Sequence, residues 1–370
     1  MSIQQKHAVP CLANYHQPIV RTGYESVLPH RTDELYAFTA KKPGKVRSIV
    51  DKGIIVDYED GTSGGYELGR RFGNSQGLTI AHEIITPLQV GDEIKVGDPI
   101  VYNTGFFEPD FFDPKKIVWK NSIYVRTVLW ESTKTLEDSS AVSSRVSELL
   151  STRVTKVKTV VLSFDQAISH LVKAGDEVSS DTVLCAIQDA VTANNKLFNE
   201  QSIETLKALS AQTPRANVRG KVEKVEVFYH GDKEDMSESV RELCDLGDSW
   251  LKKEATAVGR KAYTGKVDGG FRIDNNPLGL DSVAVRIYIT SIASSGIGDK
   301  VVFANQLKSC IGEVMEKPMT SEDGQAIDAV FGYRSLEARI VESPIIIGTT
   351  ATLLLHIGRK AAEIYRGTAK

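Results

Sequence analysis

The sequence predicts an α+β protein that is mostly β-sheet with some helix. Residues 45–50 and 53–58 are two β-branched runs, and the Asp60-Gly61 step that follows them is typical of a hairpin turn. Residues 283–290 alternate apolar and polar side chains, which is the period of two expected of a strand with one buried face. Apolar residues at helical spacing occur in three further segments, residues 195–211, 233–253 and 350–366. In the second of these, the apolar stripe consists of Val240, Leu243, Leu246 and Leu251.

The composition is that of an ordinary globular protein and limits the function classes. The chain has 370 residues, of which 41% are hydrophobic and 25% charged, and its net charge is −3. Because no overall basic character is present, any nucleic-acid contact must rest on individual Lys and Arg residues. No signal peptide is recognisable and residues 345–357 are too short to span a bilayer, so we expect no membrane partner. The cysteines form no CxxC pair, which argues against a structural zinc site and favours free thiols: Cys11, Cys185, Cys244 and Cys310.

Two segments of the chain are alike. Residues 90–101 and 173–184 each place Gly-Asp at a tight turn, followed by an apolar residue, a second turn and a short apolar strand. This pattern resembles the barrel-sandwich hybrid of lipoyl and biotinyl domains. Residues 219–228 fit as another strand of such a unit.

A second resemblance concerns Gly298-Asp299-Lys300, which is followed after seven residues by Lys308. This element, with the strand at residues 283–290 before it, resembles the Gly-Asp-Lys…Lys element of the β subunit of multisubunit DNA-directed RNA polymerases. The resemblance implies a double-psi-type β-barrel that carries both lysines, beside the barrel-sandwich hybrid region.

Further motifs resemble the same family in the same order and extend from residue 8 to residue 358. They are Ala8-Val9-Pro10, residues 18–25, Trp130 with residues 136–139, residues 142–146, residues 327–330 and Arg339. Residues 304–307, 135–136 and 337–338 depart from the family pattern. Such divergence is similar to that of the split polymerases of giant bacteriophages. The resemblance therefore identifies the chain as the second half of a β-type subunit, encoded as a separate polypeptide.

The resemblance assigns roles to three basic residues. Lys300 and Lys308 would hold the RNA 3′-end and the incoming α-phosphate, because lysine is a compact positive charge. Arg339 would contact the nucleoside triphosphate through its planar guanidinium. The alternatives are two solvated surface lysines, and a salt bridge from Arg339 to Glu337 or Glu342.

Two acidic and two N-terminal residues complete the predicted site. Glu137 and Asp138 would lie near the path of the second metal or position Arg339, although adjacent acidic residues on an exposed turn often have no function. Lys6 and His7 occupy the positions at which the family faces the RNA–DNA hybrid. They lie near a chain end, where order is often low.

The catalytic Mg²⁺ is expected on a partner chain. The sequence contains no Asp-x-Asp-x-Asp cluster, which in the family belongs to the β′ subunit, so the resemblance implies a nucleotidyltransferase subunit that is inactive alone. The implied partners are an N-terminal β-type chain, β′-type chains, template DNA, the RNA transcript and nucleoside triphosphates, with a separate C-terminal β piece left open. A phage enzyme of this kind would work in the host cytoplasm, and packaging in the virion is also left open.

The resemblance divides the chain into four segments. These are 1–40, near the active site; 41–230, the hybrid barrel and first barrel strands with Glu137 and Asp138; 231–282, a helical and loop insertion; and 283–370, the barrel core with Lys300, Lys308, Arg339 and the C-terminal helix.

Two other functions stay open from the sequence. A biotinyl or lipoyl-like carrier module would present a modified lysine at a turn, and Lys95 occupies such a turn without the flanking Met or Asp-Ala context of those modules. A phage structural protein with a polymerase-derived fold would keep the architecture without the chemistry. Retention of Lys300, Lys308 and Arg339 together argues against the latter.

Overall fold

The computed structural model describes residues 2–5, 15–75, 77–189, 212–304, 306–317, 319–339 and 341–367. The strands of the N-terminal part are, in chain order, β1 (Ser2–Gln5), β2 (Ala37–Thr39), β3 (Gly44–Val50), β4 (Gly53–Tyr58), β5 (Ser63–Glu67), β6 (Gly69–Ser75), β7 (Leu78–Ile85), β8 (Glu93–Ile94), β9 (Pro99–Asn103), β10 (Phe107–Pro109), β11 (Ile117–Trp119), β12 (Ile123–Tyr124), β13 (Thr127–Leu129) and β14 (Ser139–Ser143).

The remaining strands are β15 (Thr152–Ser163), β16 (Ala167–Leu171), β17 (Glu177–Val178), β18 (Cys185–Gln188), β19 (Gly220–His230), β20 (Arg272–Ile273), β21 (Asn276–Pro277), β22 (Ser282–Ala293), β23 (Lys300–Phe303), β24 (Leu307–Met315) and β25 (Ala329–Phe331). The helices are α1 (Ser144–Leu149), α2 (Glu238–Ala257), α3 (Tyr333–Ala338) and α4 (Ser343–Tyr365). Strand residues outnumber helical ones, so the prediction of a mostly β, α+β chain is confirmed.

A seven-stranded mixed sheet carries the C-terminal motifs. Its strand order is β12-β1-β23-β24-β14-β25-β13, and the pairs β14–β24 and β13–β25 are parallel. Its core contains the fully buried side chains of Phe303, Leu307, Ile311 and Phe331. Strands that are far apart in sequence therefore meet side by side on this sheet.

The larger sheet has the order β17-β19-β22-β15-β7-β9-β2, with β6 paired to β7. The predicted strand at residues 283–290 is its long strand β22, which pairs with β15 and β19. Val283 and Ile287 are buried as the alternation predicts, but the prediction of only one buried face is wrong, because Ala284 and Tyr288 are buried too. The ring of Phe72 in β6 covers the second face, at 4.6 Å from the Tyr288 ring centroid.

The two Gly-Asp segments have the same turn geometry. Gly91 and Gly175 have φ angles of 93° and 104°, which favour glycine. The carboxylates of Asp92 and Asp176 each accept a hydrogen bond from the backbone N–H three residues earlier, at 2.8 and 2.7 Å. Each segment then pairs with another strand, β8 with β3 and β17 with β19. The internal similarity and the extra strand at residues 219–228 are therefore structural features of the chain.

Helix α2 differs from the helix predicted at residues 233–253, because it starts at Glu238 and buries only part of the predicted stripe. Val240 and Leu243 are buried as expected, but Leu246 is 47% exposed while Cys244 and Gly247 are buried. A Cβ added at Gly247 would lie 2.8 Å from a side-chain atom of β19. The absence of a side chain there lets the helix approach the sheet closely and turns Leu246 outward.

Three smaller predictions have different outcomes. The C-terminal helix begins at Ser343 rather than residue 350, with Pro344 in its first turn, where proline is tolerated. The loop predicted at residues 265–279 contains the short hairpin of β20 and β21. The helix predicted at residues 195–211 lies outside the described residues.

The predicted segments contribute to shared sheets. The larger sheet has eight strands. It takes β2 from segment 1–40, six strands from segment 41–230, and β22, which begins at Ser282 on the boundary of the last two segments. In the part of the chain that the structure describes, neither large sheet closes into a barrel. None of the described helices combines the length and the apolar character needed to cross a bilayer.

Candidate functional site

Lys300 and Lys308 lie on the hairpin formed by β23 and β24. Its antiparallel register places Lys300 opposite Cys310 and Lys308 opposite Val302. Directly opposed residues share one face, as do residues two apart on a strand, so the two lysines share a face. They are diagonal neighbours, for which Cα atoms are roughly 7–8 Å apart.

The opposite face of the hairpin holds it in place. Val301, Phe303, Leu307 and Ile311 point into the core of the seven-stranded sheet and are fully buried. Burial of one face leaves the lysines on the other face exposed to solvent. Neither ammonium group makes an ion pair with any residue that the structure describes, so both charges are available to a ligand.

The turn before Lys300 is fixed by backbone contacts. Gly298 has a φ of 95°, and its N–H donates to the Ile311 carbonyl at 2.8 Å. The Asp299 carboxylate accepts from the Gly296 N–H at 2.8 Å, and the Asp299 carbonyl accepts from the Ile311 N–H at 2.9 Å. The Gly-Asp-Lys sequence thus forms a tight turn that starts β23 in a defined register.

The Glu137–Asp138 turn packs against the same hairpin. Glu137 has a φ of 54°, an uncommon conformation for a residue with a side chain. The Asp138 carbonyl accepts hydrogen bonds from the Cys310 N–H at 2.9 Å and from the Ser309 hydroxyl at 2.8 Å. The parallel pairing of β14 with β24 produces this contact, because β14 starts at the next residue.

Arg339 follows helix α3 and joins the two elements. Its Nη2 donates to the Asp138 carboxylate and, at 3.0 Å, to the backbone carbonyl of Lys308. Its side chain is 26% exposed, so part of the guanidinium reaches solvent. The salt bridge to Glu337 or Glu342 that the sequence left open is not formed among the described residues.

The predicted residues are therefore only partly brought together. Lys300, Lys308, Asp138 and Arg339 lie on one contiguous surface, although β14, the hairpin and α3 come from separate parts of the chain. The exposed Glu137 side chain makes no hydrogen bond or ion pair within the described ranges. The predictions for residues 6 and 7 lie outside the described residues, although β1 pairs with β23 just before them.

Two supporting residues were missed by sequence reasoning. Ser309 is buried, and its hydroxyl also lies 2.8 Å from the Ser140 hydroxyl, so it links β24 to β14. The Ser343 hydroxyl at the start of α4 donates to the Gln306 side chain at 2.9 Å, which ties the hairpin turn to that helix. Strand alternation does place Ser309 inside, next to an exposed Lys308, but nothing in the sequence identifies its partner.

The arrangement suits an anionic ligand. Lys300 and Lys308 share one face of the hairpin, the Arg339 guanidinium is bonded to the backbone of Lys308, and the Asp138 carboxylate pairs with Arg339 alone among these cations in the described chain. Cations held in this way bind phosphate oxygens with short, charge-assisted hydrogen bonds. No group of three or more His, Cys, Asp or Glu side chains that could hold a metal occurs in the described ranges.

No protein family model matches this chain, and no curated protein matches its sequence.

Proposed function

We propose that this chain is part of the β-type subunit of a multisubunit DNA-directed RNA polymerase and supplies phosphate-binding groups to template-directed RNA synthesis. The observation that carries the proposal is the shared face of Lys300 and Lys308, with Arg339 hydrogen-bonded to the backbone of Lys308. These are the residues to which the ordered sequence motifs assign the contacts with RNA and nucleotide.

The chemistry explains why such a face is useful. RNA extension is attack of a 3′-hydroxyl on an α-phosphate, and negative charge on the phosphate oxygens must be stabilised as it develops. Lys300 and Lys308 would place two charges on adjacent phosphate groups, because their Cα positions are about 7–8 Å apart. Both sit on a hairpin whose other face is buried, so little reorganisation is needed when the ligand binds.

Arg339 would contact the triphosphate while Asp138 positions it. One guanidinium nitrogen is used by the Asp138 carboxylate and the Lys308 carbonyl, which leaves the others for phosphate oxygens. The metal ions of such enzymes activate the attacking hydroxyl and neutralise the leaving group. The resemblance assigns Mg²⁺ to a β′-type partner, and we derive only the steps made by this chain.

The finer fold assignment belongs to the same proposal. We assign the seven-stranded mixed sheet to a double-psi-type barrel, supported by its two parallel pairs and by the lysine hairpin between β1 and β14. We assign the repeated Gly-Asp turns at Gly91 and Gly175 to the barrel-sandwich hybrid region. Partner chains would supply the strands that complete closure.

The proposal is tested by purifying the tagged chain together with its natural partners. We expect Mg²⁺-dependent extension of a primed RNA–DNA scaffold by the complex and none by the isolated chain. Robust extension by the isolated chain would contradict the proposal that this chain is inactive without a β′-type partner. A native complex that contains this chain but no β′-type chain would sink the polymerase assignment itself.

A further inference from the structure

A groove separates helix α4 from the end of the seven-stranded sheet. Its volume is about 630 Å³, within the range of small ligand and peptide sites. We call it the α4 groove. Its sheet side is formed by Arg126, Thr127, Leu129, Arg145 and Asp328, and its helix side by Ile345, Thr349, Thr352, Leu355, His356 and Arg359. It lies apart from the face of Lys300 and Lys308, whose side chains do not line it.

The helix side presents one continuous stripe. Ile345, Thr349, Thr352, His356 and Arg359 recur at intervals of three or four residues and therefore share a face of α4. Within the described part of α4, only Pro344 and Ala351 are buried, so the fold itself covers little of this helix. The stripe is apolar near the start of the helix and basic near Arg359.

The charges in the groove are unbalanced. It contains three arginines, whereas the one carboxylate, that of Asp328, already accepts from the Arg145 guanidinium at 2.8 Å and from the Arg126 backbone N–H at 2.9 Å. The side chains of Arg126 and Arg359 form no ion pair with the described residues. The groove therefore has positive charge at both sides of an apolar floor.

The sheet side also has unused hydrogen-bonding capacity. Strand β13 lies at the end of its sheet and pairs only with β25 in the described chain, so its other backbone edge has no strand partner there. The Thr127 hydroxyl is buried without a hydrogen-bond partner. Unpaired strand edges accept an added strand, and buried polar groups are normally satisfied.

From these features we infer that the α4 groove binds an extended acidic segment of another protein chain, one that alternates apolar and acidic side chains. Leu129, Ile345 and Leu355 would contact the apolar side chains, and Arg126 and Arg359 would pair with the carboxylates. The lining favours a peptide over a nucleic acid, because its apolar side chains are mainly leucine and isoleucine, whereas base stacking would rest on His356 and the half-buried Tyr124 among the described lining residues. The inference does not depend on polymerase activity, since binding is measured on the isolated chain.

The test uses the full chain and two short labelled peptides that differ only in charge, one alternating leucine with glutamate and one alternating leucine with lysine. Fluorescence anisotropy should show the glutamate peptide binding at least about tenfold more tightly, with an affinity that falls as salt rises. The double variant Arg126→Glu/Arg359→Glu should weaken that binding at least about tenfold. The matched control is Arg334→Glu/Lys360→Glu, which makes the same change in charge at exposed positions outside the groove and should leave binding within about twofold.

A second variant tests the groove independently of charge. Thr352→Trp should fill the floor and abolish binding while the far-ultraviolet circular dichroism stays that of the parent chain. Equal affinity for both peptides, no binding of the glutamate peptide, or an equal loss in the control variant would overturn the inference. The inference would also be overturned if light scattering showed that the parent chain is a dimer and that Arg126→Glu/Arg359→Glu dissociates it, because the groove would then bind a second copy. Tighter binding of a short labelled RNA, lost in the same variant, would assign it to nucleic acid.

Discussion

The guanidinium of Arg339 and the backbone carbonyl of Lys308 are joined by a 3.0 Å hydrogen bond, although the residues are 31 positions apart. The same nitrogen contacts the Asp138 carboxylate, so Arg339 is fixed to the hairpin through its backbone and to β14 through a side chain. A group held twice in this way loses little further freedom when a ligand binds. Arg339 and the lysine hairpin are therefore held together as one unit, which is what the proposed phosphate recognition requires.

Arg339→Ala should weaken nucleotide use by the assembled enzyme. We expect the apparent KM for nucleoside triphosphate to rise about tenfold, because the proposed contact to the triphosphate is removed while the hairpin core stays intact. Steady-state extension on a primed scaffold, measured over a range of nucleotide concentrations, checks this. Arg334→Ala, an exposed arginine of α3, is the matched control and should keep the parental KM.

The role of Asp138 can be separated from that of Arg339. Asp138→Asn removes the charge of the carboxylate that holds the guanidinium, so it should raise the KM by less than Arg339→Ala does. Added to Arg339→Ala it should have almost no further effect, since a positioning residue has nothing left to position. Additive effects in the double variant would show that Asp138 acts independently of Arg339.

Lys300→Ala and Lys308→Ala should each slow extension by about 100-fold at saturating nucleotide, the usual cost of losing one charge contact to the transition state. Assembly should be unaffected, because both side chains are exposed and make no ion pair within the described residues. Lys115→Ala, another exposed lysine, serves as the control. Parental extension rates in both hairpin variants would contradict the proposed role and favour the alternative that Lys300 and Lys308 are solvated surface lysines.

The sequence predicted individual strands and turns better than it predicted which of them lie side by side in the fold. The strands within residues 45–58 follow from β-branched runs, and the Asp60-Gly61 turn joins β4 to β5; both signals act locally. The contact of Arg339 with Asp138 spans 201 positions and depends on the parallel pairing of β14 with β24, which no local pattern specifies. The family resemblance named both residues and offered the positioning of Arg339 as one of two roles for the acidic pair, but it did not identify Ser309, which links the strands beneath this contact.

Helix α2 shows why periodicity alone failed in part. The apolar stripe predicted that Leu246 is a core residue, because helical periodicity assigns the most hydrophobic side chains to the buried face. The close approach of α2 to β19 instead requires the missing side chain of Gly247, which takes the buried position that the stripe had assigned to Leu246. Strand β22 shows the converse, since alternation located it but did not reveal the second layer over Tyr288.

The carrier alternative makes a separate prediction about Lys95. Its side chain is exposed in a turn fixed by a 2.8 Å hydrogen bond from its own N–H to the Asp98 carboxylate. In a carrier domain such a lysine would be covalently modified, whereas the polymerase proposal requires no modification of Lys95. Intact-mass spectrometry of the chain purified from cells with active lipoyl and biotinyl ligases should give the unmodified mass. A lipoyl or biotinyl adduct that disappears in Lys95→Arg would favour the carrier function.

His82 should make the free energy of unfolding depend on pH. The ring is 4% exposed, and its Nδ1 lies 2.7 Å from the Asn103 side-chain nitrogen, which also donates to the Leu35 carbonyl. Because the amide is the donor, Nδ1 accepts and the imidazole is neutral, with its proton on Nε2. Burial lowers the pKa of His82 from 6.5 to about 4, although the negative charge of Asp33 acts in the opposite direction.

The sign of the effect follows from where the proton binds. Below pH 6.5 the His82 side chain takes up a proton in the unfolded chain, whereas in the folded chain it stays neutral until about pH 4. The contribution of the neutral ring to the free energy of unfolding is therefore fully present above pH 6.5 and is lost as the pH falls from 6.5 to about 4. At about pH 5 the loss is about 2 kcal/mol relative to neutral pH. Urea unfolding at both pH values should show this loss in the parent chain and in His170→Gln, an exposed-histidine control, but not in His82→Gln. If the His82→Gln chain lost as much stability as the parent, other buried groups would be responsible, and the neutral His82 would have no measurable role in the pH dependence.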